Sequence, residues 1–430
     1  MSRNKTLLGA IAFVALLLIS SISYMLLADR DAYSYYTGLG SGLAISNDDQ
    51  LIAFSYFNNG KSAIYTAGQD GTNVKRVSNP HEVYHSDPKF SPDGSKILYL
   101  SQDRNHIQSL YIANVDGTNP KQLSESSQHI SGAVFSDDNE TIFFASMPAE
   151  EFKKTEGETQ EGYDLFSVKI DGSQMEQLSD RDFYTMDSLA FSAEKKEILF
   201  KDFDDINAFD LKDQRVYTAD LSGKIPTDFF HLTLSPKLNA LAYTTITDES
   251  KDTSLFEYDL FLIDLQDGDT KRLTDLNSSV VSPVFFNEKN EVLFLEYFNW
   301  PQEPEEYKLR TVDIETKKLK ELTLEMPDLE SSNFVMKAID YSVNSWTVGL
   351  IYTVLFMLIT VYVKHEKVFL PSLISLAIGL LTLAASFVVA ATVDPWAGIG
   401  VGMLAAGLLV CTIVLFLFAL VIKILRKGAK

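Results

Sequence analysis

Between residues 41 and 324 the chain places short apolar runs between polar turns, and the arrangement repeats. The stretch SDPKFSPDGSKILYL (86–100) is its clearest copy. Lys89 and Phe90 lead into Ser91-Pro92-Asp93-Gly94, and Ile97, Leu98, Tyr99 and Leu100 follow. Proline presets φ at the first corner of a turn, aspartate bonds its own backbone, and glycine accepts positive φ. The flanking β-branched and aromatic residues are strand formers. Equivalent runs are LIAFSYF at 51–57, TIFFASM at 141–147, EILFKDF at 197–203, ALAYTTI at 240–246 and EVLFLEY at 291–297. Aligned on Ser91, the copies are spaced by 45, 45, 56, 43 and 51 residues.

Each copy has a second half with an Asp-Gly-type turn, at 63–79, 109–125, 164–180 and 259–275, and in degenerate form at 206–218 and 308–324. Such a turn between alternating segments signals a hairpin. One unit is therefore four antiparallel strands in about 45 residues, the period and content of a propeller blade. Six units predict an all-β, six-bladed β-propeller over 29–327.

Long apolar segments stand at both ends. Residues 7–27 are long enough to cross about 30 Å of hydrocarbon, and Arg3 and Lys5 precede them. Their length, and the lack of a small-x-small site before Ala28-Asp29, favour an uncleaved anchor over a signal peptide. Three more runs cover about 346–363, 368–391 and 397–422. With the N-terminus inside, the loop Lys364–Lys367 and the tail Lys423–Lys430 are also inside, as the positive-inside rule requires. Asp394 then falls outside, and Trp346 and Trp396 meet the outer interface. The expected organisation is an anchor at 1–28, the extracytoplasmic propeller, a juxtamembrane linker at 328–345 and a three-helix transmembrane domain at 346–430. Both termini are cytoplasmic. On the linker, Phe334, Ala338 and Ile339 share one face at helical spacing; a short amphipathic helix and an irregular linker fit equally.

Asp87-Pro88-Lys89-Phe90-Ser91-Pro92-Asp93-Gly94, with Leu110-Tyr111 and Asp116-Gly117-Thr118 downstream, resembles the WD-like repeat of the TolB family of six-bladed propellers. The resemblance covers about 41–324, is strongest in the second copy, and omits the membrane segments. It implies a fold and a binding habit, and no reaction.

Charge narrows the partners. The chain has 37 bases and 58 acids, net −21. Eight bases and two acids lie outside 29–345, which leaves 29 against 56, or −27, on the body. Nucleic acid, which requires basic surfaces, is not an expected partner. The one cysteine, Cys411, allows no disulfide or thiolate zinc site within the chain.

His81-Glu82-Val83-Tyr84-His85 matches H-E-x-x-H, a zinc motif only when a helix brings both imidazoles to one face. Pro80 and Pro88 flank it and a strand follows, so no helix is expected. Gly38-Leu39-Gly40-Ser41-Gly42 has glycine where a nucleophile elbow has serine, and no phosphate-binding loop occurs. No enzymatic activity, cofactor or metal is expected. The remaining candidate is a rim. Blade topology puts the links between copies, and the long loops 148–162, 247–258 and 298–307, on one face. His81, His85 and His129 fall in those links, and Asp87, Asp187 and His231 fall at starts of innermost strands. The rim is expected to bind a cationic ligand, a peptide or a metal ion; water-satisfied loops are the plainer alternative. The expected function is recognition of a protein or ligand at a bacterial-type membrane, with a protein partner in the membrane or envelope. The alternatives are an accessory subunit of a membrane enzyme or transporter and, third, a metal-dependent hydrolase built on the rim histidines.

Overall fold

The computed structural model describes residues 3–28, 31–80, 84–155, 157–219, 225–226, 228–237, 239–327 and 334–428. It forms two compact units, Ala32–Ser331 and the two ends of the chain together, Met1–Asp31 with Ser332–Lys430.

The larger unit is built of antiparallel sheets that follow the sequence repeat. Four sheets have four strands each, and a fifth has eight. The eight-stranded sheet holds the fifth and sixth copies, joined by a single parallel pair, Tyr258 with Ser279. The apolar runs are second strands, at Leu51–Asn58, Lys96–Gln102, Thr141–Pro148, Glu197–Asp202, Ala240–Ile246 and Glu291–Tyr297. They read as continuous apolar runs because both of their faces are covered, the pattern of doubly buried strands.

Side chains alternate across a strand, and the alternation is visible here. Ile52 and Phe54 pack with Phe286, Leu293 and Leu295 of the sixth copy, whereas Ala53, between them, packs with Ile97 and Tyr99 of the second. Further clusters join the second copy to the third, third to fourth, fourth to fifth and fifth to sixth. The first and last copies thus share a core across more than 200 residues of sequence.

Polar groups repeat too. A hydroxyl at Ser78, Ser124, Ser179 or Thr274 accepts the N–H of a third-strand residue 14 positions earlier: Ile64, Leu110, Leu165 or Leu260. The turns after the first strands are tied to one another around that face. Asn47 donates to the Pro92 carbonyl at 2.6 Å, the Asp93 N–H donates to Asn139 at 2.8 Å, and Lys196 pairs with Asp137 at 2.6 Å. Asp49, 2% exposed, accepts from Asn287 N, Asn287 Nδ2 and Glu288 N at 2.8, 2.9 and 2.8 Å. A close backbone approach recurs as well. A Cβ on Gly117 would stand 2.6 Å from the Val77 carbonyl oxygen of the preceding copy, and one on Gly71 would stand 2.1 Å from the Thr323 carbonyl oxygen. Glu325 N–H also donates to the Gly71 carbonyl at 2.9 Å.

Among the described residues of the smaller unit, four helices are long and apolar enough to cross a membrane, within Lys5–Leu27, Ser345–Tyr362, His365–Thr392 and Pro395–Lys427. The linker segment contains a helix, Phe334–Ser342, and Tyr24 donates to its Asp340. Asn344 caps the next helix by accepting from the Trp346 and Thr347 N–H groups, both at 3.0 Å. Arg426 closes the other end of that helix by donating to the Val363 carbonyl at 2.9 Å. Tyr352, Ser375 and Thr412 form a hydroxyl chain at 2.8 and 2.7 Å, which satisfies polar groups that lipid cannot.

Removing the buried Asp49 carboxylate strands three donors. Asp49→Ala is expected to lower stability by about 3 kcal/mol, measured by denaturant unfolding of the detergent-solubilised chain. Asp116→Ala, in an exposed turn, should cost less than about 1 kcal/mol.

Candidate functional site

The first strands of the six copies surround one cavity of about 730 Å³. It follows them from Gly42, Asp87, Asp187 and Ser282 at the connecting face to Asn47, Pro92, Pro236 and Asn287 at the turn face.

Every one of these strands is bent by a register shift: between Leu39 and Leu43, Ser86 and Lys89, Asp187 and Ala190, Phe230 and Thr233, Val281 and Val284, and at Ser131 opposite Ala145/Ser146. Bulges add a residue, kink the strand and re-aim side chains. In five copies the bulge carries positive φ at one register, four residues before the Ser91-equivalent position: Gly42 (+93°), Asp87 (+48°), Ser188 (+56°), His231 (+51°) and Ser282 (+51°). For a residue with a Cβ this backbone costs about 1–2 kcal/mol. Such conformations persist where the surrounding structure enforces them, often at functional sites. Gly42 has a further reason: a Cβ there would stand 2.9 Å from the Asp87 N and Cα atoms. Its N–H donates to Ser282 Oγ at 3.1 Å.

The expected rim residues divide into two groups. Asp87, Asp187 and His231 line the cavity. Asp87 pairs with Lys89 at 2.8 Å, and Asp187 accepts from Ser188 Oγ at 2.8 Å. His231 is exposed on the cavity wall. Desolvation by the protein atoms crowded around it, with the Lys201 ammonium beside it, lowers its pKa to about 4. His85 and His129 do not line the cavity. His85, 6% exposed, meets Ser78 Oγ through Nδ1 at 2.7 Å and packs on Tyr99, between the first and second copies. His129, 4% exposed, accepts the Gln108 N–H at 3.2 Å and stacks on Phe152 at 3.6 Å, between the second and third. His81 lies outside the described residues. His85 belongs to a strand, Tyr84–Phe90, so the H-E-x-x-H pattern does not sit there on a helix. Among the described residues no three of His, Cys, Asp or Glu converge as a metal site.

Lys89, Lys201, Ser188 and Ser282 add to the polar lining, with Ser131, Thr233 and Ser235, and were not singled out from the sequence. The repeat register would have found Ser188 and Ser282, since both occupy the Asp87 position of their copies. Lys201 reaches the cavity from a second strand, opposite Asp187. The channel charges are thus mixed, two lysines with two aspartates, inside a strongly acidic body. The long loops are also ordered by their own contacts. Trp300 Nε1 donates to the Phe256 carbonyl at 2.7 Å, joining the fifth and sixth copies. Arg272 bridges Glu249 at 3.1 Å to the buried Asp259 at 2.5 Å, whose pKa burial raises.

Burial holds the pKa of both His85 and His129 at about 4, against about 6.5 in an unfolded chain. Their neutral forms stabilise the fold above pH 6.5. As pH falls from 6.5 toward 4 the unfolded state binds protons that the folded state does not, so stability is lost. Each histidine should contribute on the order of 3 kcal/mol to that loss. In unfolding scans from pH 7 to pH 4, His85→Gln is expected to flatten the decline by about one proton. An unchanged slope would mean that His85 is not buried as a neutral ring.

The chain matches no protein-family model and no curated protein. Among solved structures it resembles TolB from Acinetobacter baumannii at 16% identity and a TM-score of 0.50, over 66% of this chain and 66% of TolB. It also resembles a structure of the nidogen/laminin complex, at 14% identity and a TM-score of 0.40, over 55% of this chain and 79% of that one. A third is oligogalacturonate lyase from Vibrio parahaemolyticus, at 10% identity and a TM-score of 0.46, over 69% and 81%. The lyase corrects one expectation. Enzymes also use this kind of fold, so the inference that the chain has no enzymatic activity is withdrawn. The body of the chain is a TolB-like β-propeller, accompanied by four helices long and apolar enough to cross a membrane.

Proposed function

We propose that this chain is a membrane-anchored propeller of six blades whose connecting face and channel bind a protein or ligand outside the cytoplasm of a bacterial-type cell. Residues 29–327 would form the propeller, 1–28 the anchor, 328–345 the juxtamembrane linker and 346–430 the transmembrane domain, with both termini in the cytoplasm. The shared core of the first and sixth copies supports closure of the ring. The observation that carries the binding reading is the repeated bulge. Positive φ recurs at one register in five copies, and the side chains of Asp87, Ser188, His231 and Ser282 stand there at one level of a single cavity. Backbone strain repeated within the strands around a polar opening, in addition to the positive-φ turn positions Asp49, Asn139 and Lys196, fits recognition at the connecting face. A sensor or an assembly component is the role this supports.

One experiment tests both the face and the orientation. Phe203, 58% exposed on the connecting face, is replaced by cysteine, and Asp116, exposed on the turn face, likewise in a second variant. A membrane-impermeant, photoactivatable maleimide is added to intact cells. Both cysteines should be labelled, and only Phe203→Cys should crosslink to a discrete envelope component. Labelling confined to broken cells would overturn the orientation. Equal crosslinking from both faces would overturn the assignment of the face.

A further inference from the structure

The first strand of the fifth copy opens onto two cavities. Phe230 and His231 line the central channel and also a smaller pocket of about 190 Å³ between the fifth and sixth copies. Aromatic rings run from one to the other. The Lys201 ammonium stands 5.4 Å from the centroid of Phe230. Phe230 meets Tyr258 edge to face at 5.4 Å, Tyr258 meets Trp300 at 5.9 Å, and Trp300 meets Tyr297 at 5.2 Å. The polar ends of the last two are occupied, Trp300 Nε1 by the Phe256 carbonyl and Tyr297 Oη by the Gln302 carbonyl, both at 2.7 Å. Their apolar surfaces are left to line the pocket with Val280 and Val281.

Two polar groups here lack a partner of their own kind. Ser279, which lines the smaller pocket, is 2% exposed, and its Oγ makes no hydrogen bond among the described residues. A buried hydroxyl is nearly always satisfied, so an orphan calls for an explanation. Lys201, lining the channel, has no carboxylate within ion-pair distance among the described residues. Its ammonium rests over the rings of Phe229 and Phe230 at 5.2 and 5.4 Å. An ammonium held by aromatic faces beside a neutral imidazole keeps its charge available to an anion. Volume sets the other end of the ligand. A cavity of about 150 Å³ holds benzene, so about 190 Å³ accepts one six-membered ring with a small substituent.

We propose that this composite site binds an aromatic carboxylate. The ring enters the pocket of Tyr258, Tyr297 and Trp300, the Ser279 hydroxyl bonds a polar atom of the ligand, and the carboxylate pairs with Lys201 at the channel. The inference rests on the connecting-face reading and deepens it by naming the ligand chemistry. A free aromatic acid carries these groups, and so does the C-terminal phenylalanine or tyrosine of a polypeptide.

The test is calorimetry on the full chain in detergent. The probes are N-acetylphenylalanine, its amide, and a pentapeptide ending in phenylalanine with a free or amidated terminus. The acid should bind at one site, about tenfold more tightly than the amide, the factor expected for one partly desolvated ion pair. Lys201→Gln, a half-buried position that should leave the unfolding midpoint unchanged, should erase that difference. Ser279→Ala should weaken the acid about threefold without loss of stability. Equal affinity of the free-acid pentapeptide and the small acid identifies a free acid as the source; a large gain for the pentapeptide identifies a chain terminus. Equal binding of acid and amide, indifference to Lys201→Gln, or no binding at millimolar probe would each overturn the proposal. Any of these with crosslinking from Phe203→Cys intact would sink the ligand class and leave the face assignment standing. Loss of both would sink the face as well.

Discussion

The fold depends on covering both faces of each copy's second strand. Ile52, Ala53, Phe54, Ile97, Phe144, Phe200, Leu241, Val292 and Phe294 have no exposed surface. A single sheet can bury one face on its neighbour, and its other face then requires another neighbour. A linear stack would leave two apolar faces in water. Here the first copy's Ile52 and Phe54 lie against the last copy's Leu293 and Leu295. Burying a side chain of this size is worth about 1.5–3 kcal/mol, so the joint between the first and last copies is stabilised by the same kind of burial as the other joints. The Asp49 carboxylate adds direction to that contact, because its three acceptor bonds are satisfied only by Asn287 and Glu288 in register.

From that constraint the channel follows. First strands brought together around an axis crowd one another, and each accommodates by a bulge. The bulges put short polar side chains, not apolar ones, at one level of the opening. Neighbouring copies then lock: Gly42 fits under Asp87 and donates to Ser282. On the turn face, bonds join the turns of the first four copies in series and the sixth to the first, whereas the connecting face keeps exposed aromatics, Tyr184, Phe203, Phe230, Phe256 and Phe298 among them. Turn-to-turn bonds and exposed aromatic side chains thus lie at opposite ends of the same strands.

Much of this was legible in the sequence. The apolar runs and the Ser-Pro-Asp-Gly and Asp-Gly turns located the strands, because period and turn chemistry are local. The fourth and sixth copies lack the Pro-Asp-Gly turn and keep only the strand pattern, and both form sheets. What the sequence could not show was where side chains near the bulges point. By simple alternation His85 and Asp87 share a face, and so do His129 and Ser131. One inserted residue reverses that parity. Asp87 and Ser131 therefore enter the channel, while His85 and His129 become packing between copies. Lys201 was hidden for a different reason: its access to the channel depends on the bulge in a neighbouring strand.

The central claim is that the ends of the repeat array meet. Gln69 and Lys289 lie on the exposed side of that joint, and the lysine donates to the glutamine side chain. With Cys411 replaced by serine, a Gln69→Cys/Lys289→Cys chain treated with a short bifunctional thiol reagent should form an intramolecular link. The link should be absent when the chain is denatured before treatment. Intramolecular linkage at high yield is the predicted result. Modification of both thiols without a link, or links only between molecules, would contradict a closed ring.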